Sequence, residues 1–199
     1  MHPPPQARRA RRTSVARWIS ILGHPFVLIP LLVAAVTARS MPPERVALIV
    51  GIVLLVSVVP MLLLMSRRVR SGAWTNYDVS VREQRSGMYP VAMAIAGVTT
   101  LVLLVVGTPR PVMYGVAATL VLIVIASVVN LWLKISLHVA FAVFTAASLV
   151  SLGWGVTAGG LLLALAIAWS RLELGRHTWP EVIGGALLGA VVGVGLVVL

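Results

Sequence analysis

The chain contains no cysteine, which excludes disulfides and thiolate metal sites and leaves the redox compartment without a mark in the sequence. Acidic residues are nearly as scarce, five against sixteen Lys and Arg in 199 residues, and 11% of positions are charged. A soluble domain carries about 25%. So few carboxylates do not build the aspartate-rich metal sites of a membrane prenyltransferase, for which Asp78 and nearby Glu83 are the sole material. Aromatic residues make up 6%, and no basic surface interleaved with aromatics is present, so the net charge of +11 does not mark a nucleic-acid binder. What fills the chain is apolar. The hydrophobic share is 59%, against about 45–50% in soluble domains. The sequence is that of a multi-pass protein of the cell membrane, and the expected partners of its basic groups are anionic lipid headgroups.

About 20 apolar residues cross the hydrocarbon core as a helix. On that template the sequence predicts spans near 19–38, 46–65, 91–107, 112–133, 139–153, 157–170 and 182–199. The expected fold is an all-α, polytopic transmembrane helix bundle of six to seven spans. The fifth and sixth are short and are expected to form a hairpin around Gly153-Trp154-Gly155. Residues 1–18, with three consecutive prolines and an arginine cluster, read as a basic disordered tail. The apolar run after it exceeds the roughly 7–15 residues of a signal-peptide core, so it reads as a retained span.

Parity places the tail and segments 66–90, 134–138 and 171–181 on one membrane face. That face holds thirteen of the sixteen Lys and Arg residues, while the opposite loops hold Arg39, Arg45 and Arg110. The positive-inside rule makes it cytoplasmic. Three polar clusters gather there: NYDVSVREQRSGMYP at 76–90, KISLH at 134–138 and SRLELGRHTWPE at 170–181. Ionisable groups at membrane depth are functional candidates by default.

The spacing in the last two clusters is similar to that of a known family. Ser170-Arg171, five residues, His177, three residues, Glu181 resembles the third signature of the type 2 phosphatidic acid phosphatase superfamily, in which the last residue is usually Asp. Ser136-Leu137-His138 resembles its second signature, Pro-Ser-Gly-His, and the resemblance spans roughly residues 76 to 199. The first signature, Lys, six residues, Arg-Pro, is absent, and Arg82 and Arg85 are its nearest substitutes. Leu137 stands for a glycine, Ile135 for a proline and Glu181 for the aspartate.

The resemblance implies a metal-independent phosphatase without cofactor, acting on an anionic phospholipid or polyprenyl phosphate. His177 would attack phosphorus, Glu181 would orient its ring, and His138 would protonate the leaving group. Arg82, Arg85, Lys134, Ser136, Ser170 and Arg171 would surround the phosphate. The chemistry suits these residue types on its own terms. Phosphate-ester hydrolysis needs a nucleophile, an orienting group, an acid and cations, and arginine offers bidentate contacts. On this reading the chain divides into the tail, two N-terminal helices at 19–65, a polar loop at 66–90 and a phosphatase-like core at 91–199.

Plainer roles compete for the same residues. Thr178 and Glu181 form a capping box, with Pro180 at home in the first helical turn. Lys134 has the place of a snorkelling lysine, and His24 reads as a packing or capping residue within the first span. Gly185, Gly189 and Gly193 form a small-residue stripe expected to pack on a helix of the same chain, with a homodimer contact as the alternative. A non-catalytic lipid-binding protein or a transporter with a degenerate site is the competing function. Charges clustered at one end of the bundle favour surface chemistry over midplane transport.

Overall fold

The structure is a computed structural model and describes residues 5–198. Regular structure among them is helical throughout. In chain order the helices are α1 (Pro5–Leu22), α2 (Pro25–Thr37), α3 (Pro43–Ile52), α4 (Val59–Arg70), α5 (Arg82–Ser86), α6 (Tyr89–Val105), α7 (Arg110–Val129), α8 (Leu137–Ser148), α9 (Trp154–Glu173) and α10 (Trp179–Val198). A π-helical stretch, Val53–Val58, joins α3 to α4. Pro60 has no N–H for the carbonyl one turn before it, and the widened turn lies just upstream.

Five stretches are long and apolar enough to cross a bilayer: Pro43–Arg70, Arg82–Val105, Arg110–Val129, Trp154–Glu173 and Trp179–Val198. The pair α1 and α2 makes a sixth when taken as one broken span. Their apolar side chains point outward, with Leu55, Leu162 and Val191 each 68% exposed, a surface suited to lipid and not to water. Among the described residues the fold is thus all-helical, with five to six helices long and apolar enough to cross a membrane, consistent with a membrane location.

Several boundaries differ from expectation. From Pro5 onward the basic segment 1–18 is helix, not a disordered tail, because α1 packs on α9 and buries Ala16 completely. Residues 1–4 of that segment lie outside the described residues. The expected span 19–38 breaks at Gly23-His24, ahead of Pro25. The expected short span at 157–170 is a 20-residue helix, because it starts at Trp154 and runs on past Arg171 to Glu173. The stretch 139–153 does stay short, as Leu137–Leu152, and turns into α9 at Gly153 with φ 119°.

The chain forms two compact units. One is Ile29–Lys134. Its core is Val33, Ile49, Val53, Leu103 and Val112, and the Ser57 and Thr99 hydroxyls share a 2.7 Å hydrogen bond that ties the π-helical stretch to α6.

The other unit is the N-terminal stretch through Leu28 with Ile135–Val197. Here α10 runs parallel to α8 at close range. A Cβ at Gly185 would lie 2.5 Å from the Ser136 carbonyl oxygen, one at Gly189 would collide with that of Ala140, and one at Gly193 would press on Ala147. The glycine stripe thus packs on α8 of the same chain, with all three glycines buried. Helix α9 returns antiparallel against α8, and α1 lies antiparallel on α9, joined at its outer end by Arg12 Nη2 to Glu173 Oε2 at 2.7 Å. Val139, Ala142, Ala164, Ile167 and Val182 form the apolar centre of this unit.

Candidate functional site

The course of SRLELGRHTWPE follows from rules for ending one helix and starting the next. Helix α9 stops at Leu174, and Gly175 takes the left-handed conformation, φ 62°, that a glycine adopts without a Cβ penalty. The Gly175 N–H then donates to the Leu172 carbonyl and the Arg176 N–H to that of Arg171, each at 3.0 Å, which is the Schellman closure. The His177 N–H also reaches the Arg171 carbonyl at 3.3 Å. The backbone of His177 is therefore fixed relative to Arg171. Two residues later α10 begins.

Glu181 serves both readings of this segment with one oxygen. Its Oε2 accepts the Thr178 N–H at 3.0 Å, the return bond of a capping box, and takes His177 Nδ1 at 2.9 Å. An ionised carboxylate only accepts, so beside it Nδ1 carries a proton, and in a neutral ring the lone pair would then sit on Nε2. The His177 side chain is 1% exposed. Burial excludes competing water and strengthens the pairing.

The N-terminus of α8 opens beside that of α10. The Ser136 N–H donates to the Glu181 carbonyl at 2.9 Å, and Gly185 lets the two backbones meet there. His138 is the second residue of α8 and is buried. A helix N-terminus directs N–H groups and the positive end of its dipole outward, so this end attracts anions. The Ser136 hydroxyl, at the N-cap, is fully buried and has no hydrogen-bond partner among the described residues. A donor of that kind suits a polar ligand.

Arg171 is 0% exposed and is the largest fully buried side chain. Its Nη1 donates to the Ser20 hydroxyl of α1 at 2.6 Å. Ser170, expected to donate to phosphate, gives its proton instead to the Ile167 carbonyl at 2.7 Å, the back-bond a helical serine makes when it faces its own preceding turn.

Arg82, Arg85 and Lys134 belong to the other unit and make local contacts within it. Arg85, 2% exposed, donates from Nε to the Val79 carbonyl at 2.9 Å. Arg82 reaches the Leu131 carbonyl at 3.1 Å, and Lys134 Nζ reaches that of Ser80 at 3.0 Å. Val79 has φ 44°, an outlier for a β-branched residue, and is buried. Arg85 and Lys134 thus bind carbonyls of the 71–81 loop while Arg82 binds the end of α7, so the snorkelling role expected for Lys134 gives way to a specific bond.

Two contacts escaped the sequence reading. His24 does cap: its Nδ1 accepts the Phe26 N–H at 3.1 Å, at the start of α2. Its ring also stands edge-on to His138, with centroids 4.7 Å apart. The GHPF pattern signalled the cap but not the second contact. Ser20 gave no signal at all, since its partner lies 151 residues away.

No family model, no curated protein and no solved structure matches the chain. The chemistry of the site is accordingly read from its own residues.

Proposed function

We propose that the protein is a membrane phosphatase that hydrolyses lipid phosphates or isoprenoid (pyro)phosphates through a phosphohistidine at His177. The observation that carries this reading is the buried His177–Glu181 pair, 2.9 Å apart, on the same short segment as the fully buried Arg171. An imidazole held at Nδ1 by a carboxylate offers Nε2 as the nucleophile.

In the first step the Nε2 lone pair attacks phosphorus and the bond to the lipid oxygen breaks. His138 supplies the proton that the leaving oxygen takes up, and Glu181 stabilises the ring as it gains positive charge. In the second step His138 removes a proton from water, the oxygen attacks phosphorus, and the P–N bond breaks to release inorganic phosphate and restore His177. Arg171 and the N-terminal turn of α8 offset the charge on the equatorial oxygens. The charge asymmetry of the loops supports a cytoplasmic site in the cell membrane.

A non-catalytic binder of lipid phosphates is the second reading. It is favoured by Ser170, whose proton is already committed to Ile167. Phosphate release from a panel of lipid phosphates by purified protein in detergent separates the two. The phosphatase reading expects turnover that persists in EDTA and is lost in His177→Ala. Binding without turnover would select the second reading.

A further inference from the structure

Helix α1 lies outside every motif, yet it is built into the unit that holds His177. Ala16 is fully buried, and Ile19 packs against the Val139, Ala164 and Ile167 cluster. Gly23 sits so close to the Ile167 side chain that any Cβ there would collide with it. Ile167 lies one helical turn before Arg171 on α9. The end of α1 is thus clamped against the face of α9 from which Arg171 projects.

Resting on the reading of Arg171 as a phosphate ligand, we propose that Ser20 is a positioning residue that sets the orientation of the Arg171 guanidinium. Ser20 is buried, and its hydroxyl accepts from Arg171 Nη1 at 2.6 Å, a short charge-assisted bond. A guanidinium is planar and its five N–H donors keep fixed relative directions. Anchoring one Nη therefore fixes the plane in which the others point. Loss of the Ser20 hydroxyl removes that restraint on the guanidinium plane, and bidentate recognition of a phosphate depends on a set plane. The N-terminal helix is on this view a wall of the site as well as a membrane segment. His24, four residues further along, extends the same wall to the His138 ring.

The test compares wild type with Ser20→Ala, Ser20→Thr and Ser20→Cys, each labelled with ¹⁵N-arginine in lipid nanodiscs. Arg171→Lys assigns the Arg171 side-chain signals by deleting them. Wild type is expected to show resolved, slowly exchanging Nη protons for Arg171. Threonine, which keeps the hydroxyl, retains them; alanine and cysteine, which remove it or replace it with a weak acceptor, collapse them. Cysteine keeps the volume and carries the comparison should the alanine variant fail to fold. On a short-chain lipid phosphate, kcat/KM falls by between about tenfold and a hundredfold in the alanine and cysteine variants, with threonine near wild type. Arg171 signals unchanged in both Ser20→Ala and Ser20→Cys would overturn the proposal, as would collapsed signals with undiminished kcat/KM. Collapsed signals in a protein whose wild type hydrolyses no lipid phosphate leave Ser20 as the anchor of Arg171 and remove the phosphatase reading instead.

Discussion

Replacing Glu181 with glutamine and with alanine separates helix capping from chemistry. In the structure one atom, Oε2, accepts both the Thr178 N–H at 3.0 Å and His177 Nδ1 at 2.9 Å. A glutamine with its carbonyl oxygen at that point keeps both bonds and the ring tautomer, and loses only the charge. A charge-assisted bond is worth about 1.5–3 kcal/mol and a neutral one about 0.5–1.5, so the loss begins near 1–1.5 kcal/mol. That is roughly tenfold in rate, and more as the ring gains charge in the transition state. Glu181→Gln is therefore expected to lower kcat at least about tenfold while stability falls by no more than about 1–1.5 kcal/mol. Glu181→Ala loses both bonds, which costs about 1–3 kcal/mol of stability and about 10³–10⁴ in kcat. Thermal melts in detergent and steady-state kinetics measure the two quantities. A glutamine variant with wild-type kcat, beside an alanine variant that is merely less stable, would reduce Glu181 to a cap.

Three further outcomes follow from the same structure. Gly189→Ala drives a Cβ into the Ala140 carbonyl and is expected to cost at least about 1–3 kcal/mol, whereas Gly195→Ala meets open space and should be neutral or stabilising by about 0.5–1 kcal/mol; paired melts decide. His24→Asn keeps a side-chain cap for Phe26 but removes the ring beside His138, so kcat should fall with little change in melting temperature, while His24→Ala should lower both. Cysteines introduced singly at the exposed Ser71 and Arg110 should label from opposite sides of intact cells, with Ser71 protected from an impermeant reagent; labelling of Ser71 from outside would reverse the orientation.

Much of this was legible in the residues. Apolar length located the five stretches long enough to span because a bilayer demands it, and Thr178, Pro180 and Glu181 announced the start of α10 through capping chemistry. The capping box and the histidine pair looked like rival explanations of Glu181, and a single carboxylate oxygen satisfies both. The errors have a physical source too. Apolar counting ended a span before Arg171, because hydropathy penalises a charge that the fold buries with a partner on α1. It likewise read the arginines of residues 8–17 as a tail, although Ala16, Ile19 and Ser20 hold that segment against α9. The Ser20–Arg171 bond and the His24–His138 contact are tertiary, set by how α1 packs, and no local pattern encodes them. The hydroxyl of Ser170 was misassigned for a related reason: from a motif alone, a helical serine facing its own backbone looks the same as one facing a ligand.

The covalent intermediate tests the central claim most directly. Purified protein is mixed with a ³²P-labelled lipid phosphate, quenched in alkali within milliseconds to seconds, and digested for peptide mapping. The proposed chemistry predicts an acid-labile, base-stable phosphoryl group on the peptide that contains His177, absent in His177→Ala. It should appear at least as strongly in His138→Ala, provided water activation is slowed more than attack. Release of labelled phosphate by wild type with no label on that peptide at any quench time, or undiminished release by His177→Ala, would contradict it.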